Sequence, residues 1–463
     1  MAPTPNIAII GAGPTGCMLA RLLHQAGIPV TVFEAEASPN YRSQGGTLDL
    51  HTSTGLAALK EANLFNEFLA SARYDGHHVQ FTDRHLKSYL TLTGPAEPIP
   101  DDDGTAASSK RRRSRVDEQR PEIDRSELRR ILSESLPPDM IRWGHKVASF
   151  TFPPSPSPES NTNSPQSPSP SPSTPTIHFS SPSHPPSSAF TLIIGADGAF
   201  SRVRTALSPP QRPLFSRIGL YELSVPSGAT TAPELTAAVK RGSIFAHADG
   251  RRISVQQMGD GSLSVGVVQA QEEEGWTSKE KAGFDTGDLE EVKRRLLEGE
   301  GAPFGADWHP LLREAVAKAD RVWPRTLWQL PVGWRWEHRE GVTLIGDAAH
   351  LMTPFAGEGV NVGLEDAMRL AREVVRAVKE RSGDGEALDA AVRAYEEEMW
   401  PRSAKIAKLS DQLAKVWMFE PNSPEAVIAR ASALHVKVDQ PRVVHPLVDV
   451  MVHGYFLFKR IMG

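Results

Sequence analysis

Short apolar runs that end in glycine punctuate the chain at Ile7–Ile10, 190–194 and 342–345, and each reads as a buried strand entering a tight turn. The first run is followed by helical spacing over residues 17–26, with Met18, Leu19, Leu22 and Leu23 on one face, and then by a second strand at Val30–Phe33. After the last run, Val360, Leu364, Ala367, Met368, Ala371, Val374, Val375 and Val378 keep helical spacing to about Lys379. Alternating positions predict strands at 146–152 and 176–179, and a hairpin at 251–258 and 263–268 around the turn Gly259-Asp260-Gly261. Strand, glycine turn and helix in succession imply an α/β fold with a parallel sheet, whereas the middle of the chain implies an antiparallel one.

Composition sharpens this pattern in one place. The chain has 38 prolines against 36 glycines, and the excess is concentrated in residues 153–186, a Ser/Pro tract too poor in apolar residues to order itself. With a strand predicted on each side, the tract reads as a disordered insertion in a hairpin loop, without catalytic role. A second polar excursion, from Pro95 to Arg120, carries Asp101 to Asp103 and then Lys110 to Arg115, and reads as a solvated surface loop. The formal charge of −5, from 51 Lys+Arg against 56 Asp+Glu, offers no general attraction for nucleic acid or an anionic membrane. Cys17 stands alone, so no internal disulfide is possible. The first apolar run is shorter than the roughly 7–15 residues of a signal peptide. The apolar stretch 443–458, interrupted by His445, Asp449 and His453, falls short of the ~20 residues of a membrane span and predicts a buried or interfacial helix. A soluble, cytoplasmic protein without stable membrane association is the expectation.

Three segments carry candidate chemistry. Gly11-Ala-Gly13-Pro-Thr-Gly16 between strand and helix is a G-x-G-x-x-G turn: Gly11 for the turn, Gly13 for close approach of a pyrophosphate, Gly16 for packing of helix on strand. Glu34, about 20 residues on, is placed to accept ribose hydroxyls. This segment alone leaves FAD and NAD(P) open. The second segment is Gly195-Ala-Asp197-Gly198-Ala-Phe-Ser201-Arg-Val-Arg204. The third is Gly346-Asp347-Ala-Ala-His350-Leu-Met-Thr-Pro354-Phe-Ala-Gly357-Glu-Gly359-Val-Asn361, a backbone cradle ahead of a helix in which Asp347 could hold ribityl hydroxyls. His77, His78 and His350 lack metal-ligand spacing, so no metal is expected.

Together the motifs G-x-G-x-x-G, D-G-x-x-S-x-V-R and G-D-A-A-H-x-x-x-P resemble the class A FAD-dependent monooxygenases, the aromatic hydroxylase family. The segments around Arg42 to His51, Pro121 to Leu132 and His350 to Gly357 look more closely like the tetracycline-inactivating flavin monooxygenases and their relatives. The resemblance implies a Rossmann-like FAD-binding domain (1–207 and 336–380) interleaved with an antiparallel-sheet substrate domain (208–335), and a C-terminal helical region (381–463). It implies cofactor contacts from Gly11, Gly13, Gly16, Glu34, Asp49, Arg125, Asp347, Pro354, Gly357, Gly359 and Asn361. Arg42 would meet NADPH, and His247 and Glu222 would face the substrate. Ala35 stands where the family often has an arginine, which puts one adenine contact in doubt. The implied reaction is NADPH-driven hydroxylation by O2, through a flavin C4a-hydroperoxide, of an electron-rich aromatic or enolic, tetracycline-like molecule. The cofactor carries the bond chemistry. An oxidase or epoxidase of the same fold, or a non-catalytic FAD-fold binding protein, are the alternatives.

Overall fold

The computed structural model describes residues 5–39, 45–74, 78–93, 121–152, 175–187, 190–380 and 385–462. Arg42 and the charged segment 110–115 lie outside them.

Two sheets organise the chain. The first is parallel, in the order Val342–Leu344, Leu192–Gly195, Ile7–Ile10, Val30–Phe33, Ile141–Arg142. Three of its strands, Leu192–Gly195, Ile7–Ile10 and Val342–Leu344, are apolar at almost every position, and all their residues are buried. The helix Pro14–Gln25 buries Cys17, Met18, Leu19, Leu22 and Leu23 against this sheet, and the helix Gly359–Glu380 packs beside it. Burial pushes the Cys17 thiol up to about 12, so it stays protonated and inert.

The second sheet runs Arg321–Gln329, Leu214–Val225, Leu263–Ala270, Arg251–Gln257, Ser243–Ala248, Val79–Asp83, Ser88–Leu92. It is antiparallel except where Ser243–Ala248 meets Val79–Asp83. Two of its strands therefore come from residues 79–92, which the sequence reading places in the first FAD-binding segment; they pair with the substrate sheet because Phe81 stacks on Phe245 and Trp417. One face carries Tyr221, Leu223, Val225, Val265, Val267, Ile253, Val255 and Ile244, and shares a core with Leu235, Val292, Leu296, Trp308 and Leu312 from the helical excursions. The opposite face carries Glu222, Ser224, Ser264, Ser254, Gln256 and Arg252, and looks toward the first sheet's loops.

Two expectations are corrected. The Ser/Pro range 153–186 is not disordered throughout: Thr176–Phe179 pairs antiparallel with Val147–Thr151, and Ile177 is fully buried. Phe179 explains this order, since its ring packs 5.0 Å from that of Phe33 on the parallel sheet. Residues 153–174 lie outside the described ones. The stretch 443–458 does form a helix, His445–Met462, but it is not buried: Val450 and Met451 are 71% and 65% exposed. It packs chiefly on the helix Ile428–Val438, and most of its positions are exposed among the described residues. No helix among the described residues is long and apolar enough to cross a membrane.

Because Val147–Thr151 and Thr176–Phe179 already close a hairpin, replacing residues 155–172 by a short glycine-containing turn is expected to raise stability by about 1–2 kcal/mol through lower loop-closure entropy. Thermal unfolding measures this; a lower Tm would show that the tract contributes to the fold.

Candidate functional site

The glycine turn after Ile7–Ile10 closes against the neighbouring strand end. Gly11 has φ +109°, and a Cβ there would collide with the Ala196 carbonyl, while a Cβ on Gly16 would run into the carbonyl oxygen of Gly11. Gly13 is different: a Cβ on it would meet nothing within 4 Å, so the backbone here faces open space. The helix Pro14–Gln25 begins at that point, with no acidic residue in its first turn and no side-chain cap. Its free amides and dipole suit a pyrophosphate. Glu34 is held at the turn, its carboxylate accepting the Ala12 N–H at 2.6 Å and the Glu36 N–H at 2.8 Å. These residues fit an adenine dinucleotide.

The arginine that touches this turn is one the motif reading passed over. Arg129 is buried, donates to the Ala12 carbonyl at 3.3 Å and pairs with Glu36 at 2.7 Å. Arg125, one turn earlier on the helix Arg125–Glu134, is exposed, and its backbone N–H donates to the Gly46 carbonyl. The four-residue spacing within Arg125-Ser-Glu-Leu-Arg129 was the available signal.

A second missed residue joins the other two turns. Arg204 is fully buried, yet its guanidinium donates to main-chain carbonyls, those of Gln211, Ala348 and Ala199, rather than to a carboxylate. It thereby ties the Asp197 turn to the Asp347 turn, and burial draws its pKa downward. Asp197 accepts the Arg202 N–H at 2.7 Å through Oδ2, while its Oδ1 is buried without a partner. Asp197 and exposed Asp347 line one cavity of about 980 Å3, with Ala199, Lys281, Arg325 and Trp328.

The glycine-rich loop of the third motif is joined to the segment around Asp49. Asn361, fully buried, donates to the Asp49 carbonyl at 2.9 Å and accepts the His51 N–H at 2.9 Å, so its amide positions the neighbouring chain. His51 bridges Asp49 and Glu358, at 3.2 Å to each carboxylate. Gly357, at φ +72°, turns the loop after Pro354–Ala356, where an added Cβ would stand 4.0 Å from Asp49 Oδ1, and Gly359 opens the long helix. Behind the loop Asp366 accepts the Gly346 N–H at 2.9 Å, bonds His350 Nε2 and receives Arg402 at 2.9 Å. Burial alone would raise the Asp366 pKa, but His350 and Arg402 hold it below the usual carboxylate range.

On the substrate side, His247 is a buried strand residue stacked on Trp417 at 4.2 Å, and Glu222 accepts from Arg325 at 3.3 Å. The two are not neighbours: the strands Leu263–Ala270 and Arg251–Gln257 lie between theirs.

Burial works against the charged form of His51, but its hydrogen bonds to Asp49 and Glu358 outweigh that and raise it to about 9. Its ion pairs thus contribute fully below the ordinary value near 6.5 and are lost as pH rises through about 9. Thermal melts should show up to about 3 kcal/mol of stability disappearing across that window. His51→Asn should flatten the loss; an unchanged pH profile in that variant would exclude the bridge.

A family model described as "FAD binding domain" matches residues 4–145 and 189–410, and the gap between the two matched segments contains the Ser/Pro tract. Among curated relatives, a monooxygenase of Penicillium thymicola, penA, is 31% identical and aligns over 88% of this chain and 93% of its own. Rifampicin monooxygenase of Rhodococcus hoagii is 25% identical over 87% of this chain and 69% of its own. Among solved structures, Klebsiella pneumoniae HpxO complexed with FAD and uric acid superposes with TM-score 0.66 at 18% identity, covering 96% of each chain. Tetracycline destructase Tet(51) does so with TM-score 0.62 at 16% identity, covering 96% of this chain and 99% of that one. The dinucleotide cradle, the interleaved sheets and these matches agree, and the chain belongs to the FAD binding domain family as an FAD-dependent monooxygenase of the aromatic hydroxylase type.

Proposed function

We propose that this chain oxidises NADPH and inserts one oxygen atom of O2 into an electron-rich aromatic or enolic small molecule. The balance is substrate, O2, NADPH and a proton giving hydroxylated substrate, NADP+ and water. FAD, when bound, supplies the redox chemistry. The chain's part is binding, orientation and exclusion of water.

The observation that carries this reading is the convergence of three backbone turns, at Gly11–Gly16, Asp197–Gly198 and Gly346–Asp347, beside the polar face of the second sheet. In this reading Glu34 holds the adenosine ribose, while Asp49, Arg125 and Asp347 meet FAD. The loop Pro354 to Gly359 would help hold the flavin, and Asn361 positions the chain beside it. The G-x-G-x-x-G turn occurs once in the chain, so NADPH would visit the surface of the FAD-binding part, with Arg42 as its contact. A curated relative named for rifampicin supports a bulky small-molecule substrate.

Two measurements test this. Asp347→Ala should weaken FAD retention about 10-fold or more, as loss of a charged hydrogen-bonding group does; normal flavin occupancy would remove the turn from the site. With NADPH, isotopically heavy dioxygen and a panel of phenolic and enolic polycycles, at least one compound should gain one labelled oxygen, and NADH should be the poorer reductant. Stoichiometric hydrogen peroxide with every compound left unoxygenated would identify an oxidase instead.

A further inference from the structure

The polar face of the second sheet is roofed by two of the segments just assigned to the cofactor. A Cβ on Gly45 would approach the Glu222 carboxylate to 2.6 Å and one on Gly46 would approach the Gln256 amide to 2.8 Å, so that segment lies directly on the sheet. At the other end Phe355, between Pro354 and Gly357, covers Arg252, whose guanidinium carbon stands 4.9 Å from its ring centroid. The sheet face beneath the roof is where a substrate would meet the cofactor.

Arg252 is unusual there. Its guanidinium also lies 5.6 Å from the Phe245 ring, and its Nε is buried without a hydrogen-bond partner. Among the described residues no carboxylate forms an ion pair with it; the acids of this face are engaged elsewhere, Glu222 with Arg325 and Asp83 with the backbone of His85 and Lys87. Arg252 is half-buried, and holding a cation partly away from water without a counter-ion is costly; stacking on two rings offsets only part of that cost. Directly across the strand pair sits His247, covered by Trp417 at 4.2 Å, whose ring also stacks on the neighbouring Phe81 at 5.5 Å, with Nδ1 buried and unpartnered. Burial and the neighbouring Arg252 charge push the His247 pKa well below its ordinary value, so it is a neutral hydrogen-bonding group. The pair thus presents a cation that lacks an anion and an imidazole that lacks a partner, framed by Phe81, Phe245, Phe355 and Trp417. Flat rings stack on such a frame, and an oxyanion at the ring edge satisfies the guanidinium.

We propose that Arg252, with His247 beside it, is the specificity anchor of the substrate site and selects planar aromatic molecules that carry an ionised oxygen, either an enolate or a carboxylate. This rests on the monooxygenase reading for its location, and its test uses binding alone, without NADPH or turnover, so the two fail separately.

Isothermal titration of the flavin-loaded protein would compare 4-hydroxycoumarin, an ionised enol, with uncharged 4-methoxycoumarin, and 1-naphthoate with uncharged 1-naphthamide. At least one anion is expected to bind about 10-fold or more tightly than its neutral counterpart, the effect of one charge-assisted hydrogen bond in a partly buried site. Which pair shows the preference distinguishes enolate from carboxylate. Arg252→Met should abolish the preference while leaving the neutral compound within about twofold, and Arg252→Lys should restore part of it. Equal affinity for charged and uncharged partners in the unaltered protein overturns the proposal without recourse to any variant. So does failure of both anions to bind, or a methionine variant that folds, holds flavin and keeps the preference.

Discussion

The strands Leu192–Gly195, Ile7–Ile10 and Val342–Leu344 run parallel and adjacent, with Ile10 opposite Gly195 and Gly195 opposite Leu344, so all three end at one sheet edge. Each then turns, and the turns have to share the little room above that edge. Gly11 and Gly16 make the sharing possible, because a side chain at either would strike the main chain beside it. Arg204 completes the arrangement from below by hydrogen-bonding the carbonyls of two of the turns. Dinucleotide binding depends on this crowding: the amides that would face phosphate are free because no side chain intervenes.

The second sheet gives the cradle something to act on. Its apolar face packs on the helices of the middle segment, and that packing leaves the other face free to carry Glu222, Gln256, Arg252 and His247. A strand alternates faces with period two, so one set of strands supplies both a core and a polar wall. The wall meets the cofactor loops at Gly45, Gly46 and Phe355. The helix Gly385–Phe419 brings Trp417 onto the same wall and, through Arg402, braces Asp366 behind the Gly346 turn. One helix thereby contributes to both sides of the site.

Much of this was readable from local pattern. The strands at Ile7–Ile10, Val30–Phe33 and Thr176–Phe179 stand where periodicity predicts them, and the long helix ends at Glu380 against an expectation near Lys379. Glycine spacing located the turns, since a tight turn ahead of a helix restricts which residues can occupy it. Arg129 and Arg204 were not legible as they act: in sequence each is one arginine among several, and what distinguishes them is the distant carbonyls that converge on their guanidinium groups. The strands at residues 79–92 lie within the range 1–207 read as FAD-binding yet pair with the second sheet, because strand pairing is a long-range choice made by Phe81, Phe245 and Trp417 together.

By itself, then, the sequence determined the strand–turn–helix units, the α/β class and a turn shaped for a dinucleotide, because each follows from neighbours within a few residues and from glycine's missing side chain. Only the tertiary structure decided that Asn361 and His51 lock the loop around Asp49, and that Arg252 lies without a counter-ion under Phe355. Those features depend on which residues from remote segments meet, and on how much water and charge remain around them once they do.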